Sequence, residues 1–208
     1  MSDHARIRYL ALGDSYTIGE GVAEDGRWPL QLAKALRDEG IALDDPRIIA
    51  TTGWTTDELS AAIDDAEPLG DFDFVSLLIG VNNQYRGRSV AEYRDEFQGL
   101  LERAIGFAHG HAGRVLVLSI PDWGVTPFAI QSGRDQGLIA SELDAYNTVA
   151  RESCDARDVA FVDITLVSRT LGGEVEMLTA DGLHPSAAMY AKWAALALPA
   201  ARVLLTAR

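Results

Sequence analysis

A chain of 208 residues, 48% hydrophobic and 24% charged, suits one globular domain with a substantial core, since domains commonly run to roughly 100–200 residues. Its 31 Asp and Glu against 18 Lys and Arg leave a formal charge of −13. A surface that acidic repels phosphate backbones and anionic headgroups, which argues against nucleic acid as a partner. The single cysteine, Cys154, excludes an intramolecular disulfide and a cysteine metal cluster.

Residues 1–8 carry Asp3, His4, Arg6 and Arg8, and the apolar run over 7–12 is too short for a secretory signal core. That run is the first of five, followed by 47–51, 74–79, 115–120 and 159–163, mostly rich in Val, Ile or Leu. Their length and composition predict strands buried on both faces of a parallel sheet. Between and after them the sequence predicts helices over 28–39, 56–67, 89–108, about 135–156 and 185–207. Leu30, Ala33 and Leu36, like Leu100, Ala104 and Phe107, recur at the three-to-four spacing of a buried helix face. Five strands alternating with five helices give an α/β layered domain with right-handed crossovers. No repeat or linker divides it, so 1–208 is expected to be a single domain. The most apolar helix, 187–205, is interrupted by Lys192, Pro199 and Arg202 and is read as falling short of the ~20 residues a membrane span needs. The expectation is a soluble, cytoplasmic protein without a membrane anchor.

Ligands of open α/β sheets bind beyond the carboxyl ends of the strands. Polar and glycine residues crowd that edge: Gly13-Asp14-Ser15-Tyr16 after the first strand, Thr52-Gly53-Trp54-Thr55 after the second, and Gly80-Val81-Asn82-Asn83-Gln84 after the third. Pro121-Asp122-Trp123-Gly124 follows the fourth, and Asp181-Gly182-Leu183-His184-Pro185 precedes the last helix.

Ser15 is a nucleophile only if a base accepts its proton. Of the four histidines, His4 is terminal, and His109 and His111 flank Gly110 in a helix-to-strand loop at the opposite edge. His184 remains. Asp181, three residues earlier, is spaced to accept a hydrogen bond from Nδ1 and leave Nε2 facing the serine. Pro185 fits the first position of the last helix, which would make His184 its cap. Donors for a developing oxyanion could come from the Gly53 backbone N–H and the Asn82 amide. The alternative is that Asp181 and His184 only cap a helix, and that Gly53 and Asn82 are ordinary loop residues.

Together these features resemble the SGNH hydrolases, also called the GDSL esterases and lipases. The blocks are Gly-Asp-Ser at 13–15, a glycine at 53, Gly-x-Asn at 80–82 and Asp-x-x-His at 181–184, in the family's order. The resemblance implies Ser15 as nucleophile, His184 as base and Asp181 as its orienter. It implies an oxyanion hole from the Ser15 N–H, the Gly53 N–H and Asn82. It also implies a three-layer α/β/α sandwich around a flavodoxin-like parallel sheet of about five strands. Two positions depart from the pattern: Tyr16 stands in place of leucine, and Asn83 where many members have aspartate, which removes a charge from the site's edge.

Other chemistries lack their residues. An α/β-hydrolase elbow needs glycine where Thr17 stands, and Gly19-Glu20-Gly21 lacks the Lys-Ser/Thr of a phosphate-binding loop. Clustered metal ligands are missing, and no cofactor is implied. The connection over 121–138 exceeds the usual 2–6 residues. It carries Trp123, Val125, Phe128 and Ile130, which either wall an acyl pocket with Trp54, Asn83 and Tyr85 or pack down on the sheet. Arg86, Arg88 and Arg134 either greet an anionic leaving group or solubilise the surface. The expected partner is a small-molecule ester. The alternatives are a non-catalytic small-ligand-binding domain and an acyltransferase.

Overall fold

The structure is a computed structural model that describes residues 6–206. The five apolar runs become β1 (Tyr9–Gly13), β2 (Arg47–Ala50), β3 (Phe74–Leu78), β4 (Val115–Leu118) and β5 (Ala160–Val162), in one sheet ordered β2-β1-β3-β4-β5. Every pairing is parallel. All residues of β1, β3 and β4 are buried, which is why their sequences are apolar without alternation. Inside this core the Tyr9 hydroxyl and Ser76 Oγ satisfy each other at 2.9 Å.

Nine helices are described: α1 (Ser15–Ile18), α2 (Trp28–Asp38), α3 (Thr56–Ala66), α4 (Val81–Tyr85), α5 (Val90–Phe107), α6 (Pro127–Ser132), α7 (Gln136–Asp155), α8 (Thr165–Leu171) and α9 (Ala187–Thr206). Helices α2 and α9 pack together, while α5 packs against both α3 and α7. The long helices therefore form outer layers around the sheet. Trp28 and Trp193, both fully buried, anchor the α2–α9 layer, and Tyr93 stacks on Tyr146 at 4.4 Å between α5 and α7.

Three expectations change. The last helix does not begin at Pro185: Ser186 is the capping residue, its carbonyl accepting the Tyr190 N–H at 3.0 Å and its Oγ the Met189 N–H at 3.4 Å. His184 therefore lies in the turn before the helix. The 121–138 connection is not an open loop but a 3₁₀ turn, Trp123–Val125, followed by α6. Finally, α9 is long and apolar enough, by length and composition, to cross a membrane, since three interruptions barely dilute its alanines and leucines. Here its Met189, Tyr190, Trp193, Ala194, Ala197, Ala201 and Leu205 are buried in the domain.

Candidate active site

Gly13 ends β1, and the chain turns at once into α1, whose first residue is Ser15. Asp14 caps this turn, its carboxylate accepting the Tyr16 N–H at 3.0 Å. A first-turn N–H has no carbonyl four residues back, so the Ser15 amide is left over as a donor. Asp14 itself is fully buried, and its Oδ2 has no protein partner. Burial pushes its pKa up to about 7, against the pull of the N–H groups of Tyr16, Asp14 and Gly80.

Asp181 and His184 sit in a turn held by a dense set of hydrogen bonds. Asp181 Oδ1 accepts the Leu183 N–H at 2.8 Å, the His184 N–H at 2.9 Å and the Thr179 hydroxyl at 2.8 Å. Its Oδ2 meets His184 Nδ1 at 2.6 Å. The turn closes through the Thr179 N–H onto the His184 carbonyl at 2.8 Å. Partial burial works against ionisation of Asp181. Even so, hydrogen bonds from the His184 ring, the two backbone N–H groups and Thr179 hold the carboxyl well below the usual carboxylate range.

Ser15 and His184 line one cleft together with Tyr16, Thr52, Gly53, Val81, Asn82, Tyr85, Trp123, Phe128 and Leu183. Its volume is about 210 Å³. No hydrogen bond joins the serine hydroxyl to the imidazole in this structure, a looseness common in sites without substrate. Gly53 follows β2, and its N–H donates to no protein acceptor among the described residues. Asn82, in α4, donates from Nδ2 to the Trp54 carbonyl at 2.9 Å, which leaves the second amide hydrogen available.

The apolar wall comes from the 3₁₀ turn and its neighbours. Trp123 is buried, donates from Nε1 to Gln84 at 2.8 Å and lies 5.3 Å from Tyr85 and 6.2 Å from Phe128, centroid to centroid. Arg134 lies over the Tyr85 ring at 4.0 Å, at the rim of the cleft. Ile130 instead faces solvent.

Sequence reasoning brings together Ser15, Gly53, Asn82, Tyr85, Trp123, Phe128 and His184, but two expected wall residues lie elsewhere. Asn83 is completely buried: it accepts the Thr56 N–H at 3.1 Å and donates to Thr56 Oγ1 at 2.6 Å. An uncharged amide there both donates and accepts, which aspartate could not do. The Trp54 side chain packs against the core, and only its carbonyl serves the site. Thr52, Val81, Leu183 and Thr179 were missed. Of these only Thr179, two residues before Asp181, carries a sequence signal, as a threonine poised to close an Asx-type turn. His109 and His111 line a hollow with Ile7 and Asp73 at the amino ends of the strands, remote from this cleft. His4 lies outside the described residues.

The fold agrees with comparisons to known proteins. The family model described as GDSL-like lipase/acylhydrolase matches residues 11–192. Among solved structures, that of TesA superposes with a TM-score of 0.74 at 20% identity, covering 95% of this chain and 99% of that one. A lipase/acylhydrolase from Enterococcus faecalis gives 0.69 at 20% identity, covering 95% and 96%. A variant of Axe2, an acetyl xylan esterase from Geobacillus stearothermophilus, gives 0.71 at 19% identity, covering 94% of each chain. No curated protein sequence matches at a significant level. With seven-eighths of its length inside the family model and its polar loops gathered at one sheet edge, the chain belongs to the GDSL-like lipase/acylhydrolase family, the SGNH-fold esterases.

Proposed function

We propose that the protein is a serine esterase that cleaves small carboxylic esters through an acyl-enzyme on Ser15. The observation that carries this reading is the shared cleft. Residues 169 positions apart, Ser15 and His184, face one cavity with Gly53 and Asn82, and the imidazole is oriented from behind by Asp181 at 2.6 Å.

In this mechanism the Asp181 carboxylate holds the proton on Nδ1, so Nε2 is the free lone pair. Nε2 takes the Ser15 proton as Oγ attacks the ester carbonyl, giving a tetrahedral oxyanion. The Ser15 N–H, the Gly53 N–H and the Asn82 amide stabilise that charge; a donor of this kind is worth about 2.7–4 kcal/mol where measured. The imidazolium then protonates the departing alcohol. Water, deprotonated by the same imidazole, releases the acid and restores Ser15. A cleft of about 210 Å³ with aromatic walls lies below the roughly 300–1,000 Å³ of pockets that hold drug-sized ligands, which favours short acyl groups. The esterases and acylhydrolases among the structural neighbours support the reaction class by likeness of fold.

The test is p-nitrophenyl acetate turnover by wild type and Ser15→Ala. The variant is expected to fold normally and lose roughly 10³–10⁶-fold in kcat. Undiminished turnover by the variant would end the assignment. Failure of Ser15 to label with a fluorophosphonate would favour a non-catalytic binding domain. Across p-nitrophenyl esters, kcat/KM is expected to peak at short chains.

A further inference from the structure

Gly53 and Gly80 both have positive φ, +91° and +128°, but they are held in different ways. A Cβ on Gly80 would meet Tyr93 at 2.5 Å and Ile120 at 2.8 Å, so close packing confines that backbone. A Cβ on Gly53 would meet nothing within 4 Å. Glycine has the widest conformational freedom of any residue, and here no steric wall limits it. The peptides on either side of Gly53 are held instead by hydrogen bonds.

Those bonds come chiefly from two side chains one helical turn apart. The Arg86 N–H bonds to the Asn82 carbonyl at 3.0 Å, so the two residues stand at i and i+4 on one face. Asn82 grips the Trp54 carbonyl at 2.9 Å, and Arg86 Nη2 grips the Gly53 carbonyl at 2.7 Å. The Trp54 N–H closes a turn over Thr52 and Gly53 onto the Thr51 carbonyl at 3.3 Å, and the Thr52 hydroxyl donates to Glu20. Arg86 is itself braced by Glu58, with Nη1 and Nη2 reaching the carboxylate at 3.2 and 3.1 Å. Glu58 in turn accepts the Thr55 N–H at 2.9 Å as the N3 residue of the α3 capping box. The guanidinium is thus committed to the loop after β2 and is not left over for a leaving group.

We propose that Arg86 is a positioning residue for the oxyanion site: by holding the Gly53 carbonyl it fixes the Gly53–Trp54 peptide, whose N–H closes the Thr51–Trp54 turn, and that turn presents the adjoining Gly53 N–H. The inference rests on the esterase reading above. A fixed donor matters because it must already point where charge develops, and a misplacement of about 1 Å can cost roughly 10²-fold. Glu58 and Arg86 are partly exposed, so their pairing adds little to stability while it fixes geometry.

The experiment compares Arg86→Ala, Arg86→Lys and Glu58→Gln with wild type on p-nitrophenyl acetate, reading kcat, KM, thermal midpoint and inhibition by a trifluoromethyl ketone, which adds to the serine as a tetrahedral anion. Arg86→Ala is expected to lose roughly 10–100-fold in kcat with KM and the midpoint unchanged, and to lose ketone affinity in proportion. Arg86→Lys, a point donor that cannot span both partners, should fall between. Glu58→Gln should show the same pattern more weakly, and it reports even if Arg86→Ala folds poorly. Full kcat in Arg86→Ala, or a rise in KM with unaltered ketone affinity, overturns the inference. Absence of wild-type turnover would instead overturn the esterase reading, so the two failures are distinguishable.

Discussion

Two turns flank the cleft, each with a carboxylate next to the proposed reacting group, and they treat it in opposite ways. In the 179–184 turn Asp181 has four hydrogen-bond donors within 2.9 Å and is held ionised. In the 13–16 turn Asp14 is fully buried, with one oxygen unpartnered, and its pKa is pushed up to about 7. Distance from the site does not explain the contrast. Depth of burial does: Asp14 is fully enclosed, so desolvation outweighs its hydrogen bonds, whereas the partly exposed Asp181 keeps four donors that together outweigh its smaller desolvation. Around Asp14 stand the phenols of Tyr16, Tyr93 and Tyr190, which feel its charge and supply no cation.

The strongest way to break this comparison is Asp181→Asn. An amide facing Nδ1 favours the tautomer with hydrogen on Nε2, which cannot accept the serine proton. A loss of roughly 10⁴-fold in kcat is expected, and a loss below tenfold would mean that Asp181 does not orient the base.

Next comes stability against pH, where the two carboxylates have opposite signs. Asp181 is depressed in the folded state, so its contribution is present above the unfolded carboxylate value of about 4 and is lost on acidification towards its folded value. Asp14 is raised. Between about pH 4 and pH 7 the folded chain holds a proton there that the unfolded chain does not, so stability falls as pH climbs through that window. Asp14→Asn should therefore gain on wild type from pH 5 to pH 8, by about 2–4 °C in Tm for each kcal/mol recovered. A Tm difference that does not change with pH would show that Asp14 is already ionised at pH 5.

The smallest expected effect is that of Thr179→Val, which removes one of the four donors to Asp181. A severalfold fall in kcat with little change in KM is expected: a hydrogen bond to a charged group is worth about 1.5–3 kcal/mol, but three other donors still hold the carboxylate in place. A loss as large as that of Asp181→Asn would mean that the turn itself had collapsed.

Much of this is legible in the sequence itself. All five runs appear in the sheet within one or two residues of their expected ends, but only β1, β3 and β4 are buried as expected; the edge strands β2 and β5 are partly exposed because a neighbour covers them on one side only. The four shortest helices, α1, α4, α6 and α8, were not readable, because four to seven residues are too few to display a 3.6-residue period. Ser15, Gly53, Asn82 and His184 could be gathered because all sit in turns or short helices at one sheet edge. Asn83 and Trp54 were misassigned to the wall because sequence adjacency says nothing of which way a side chain turns. Arg86 looked like a choice between solubiliser and anion receptor. Its partners lie 28 and 33 positions away, and no local pattern encodes them.

The sheet ends on strands of four and three residues, β2 and β5. Rims that short offer a stray chain very few free peptide groups to pair with, and Arg47 opens one of them with a charge. Templated β-growth from a neighbouring copy is thereby disfavoured, and the parallel core keeps its apolar register to itself.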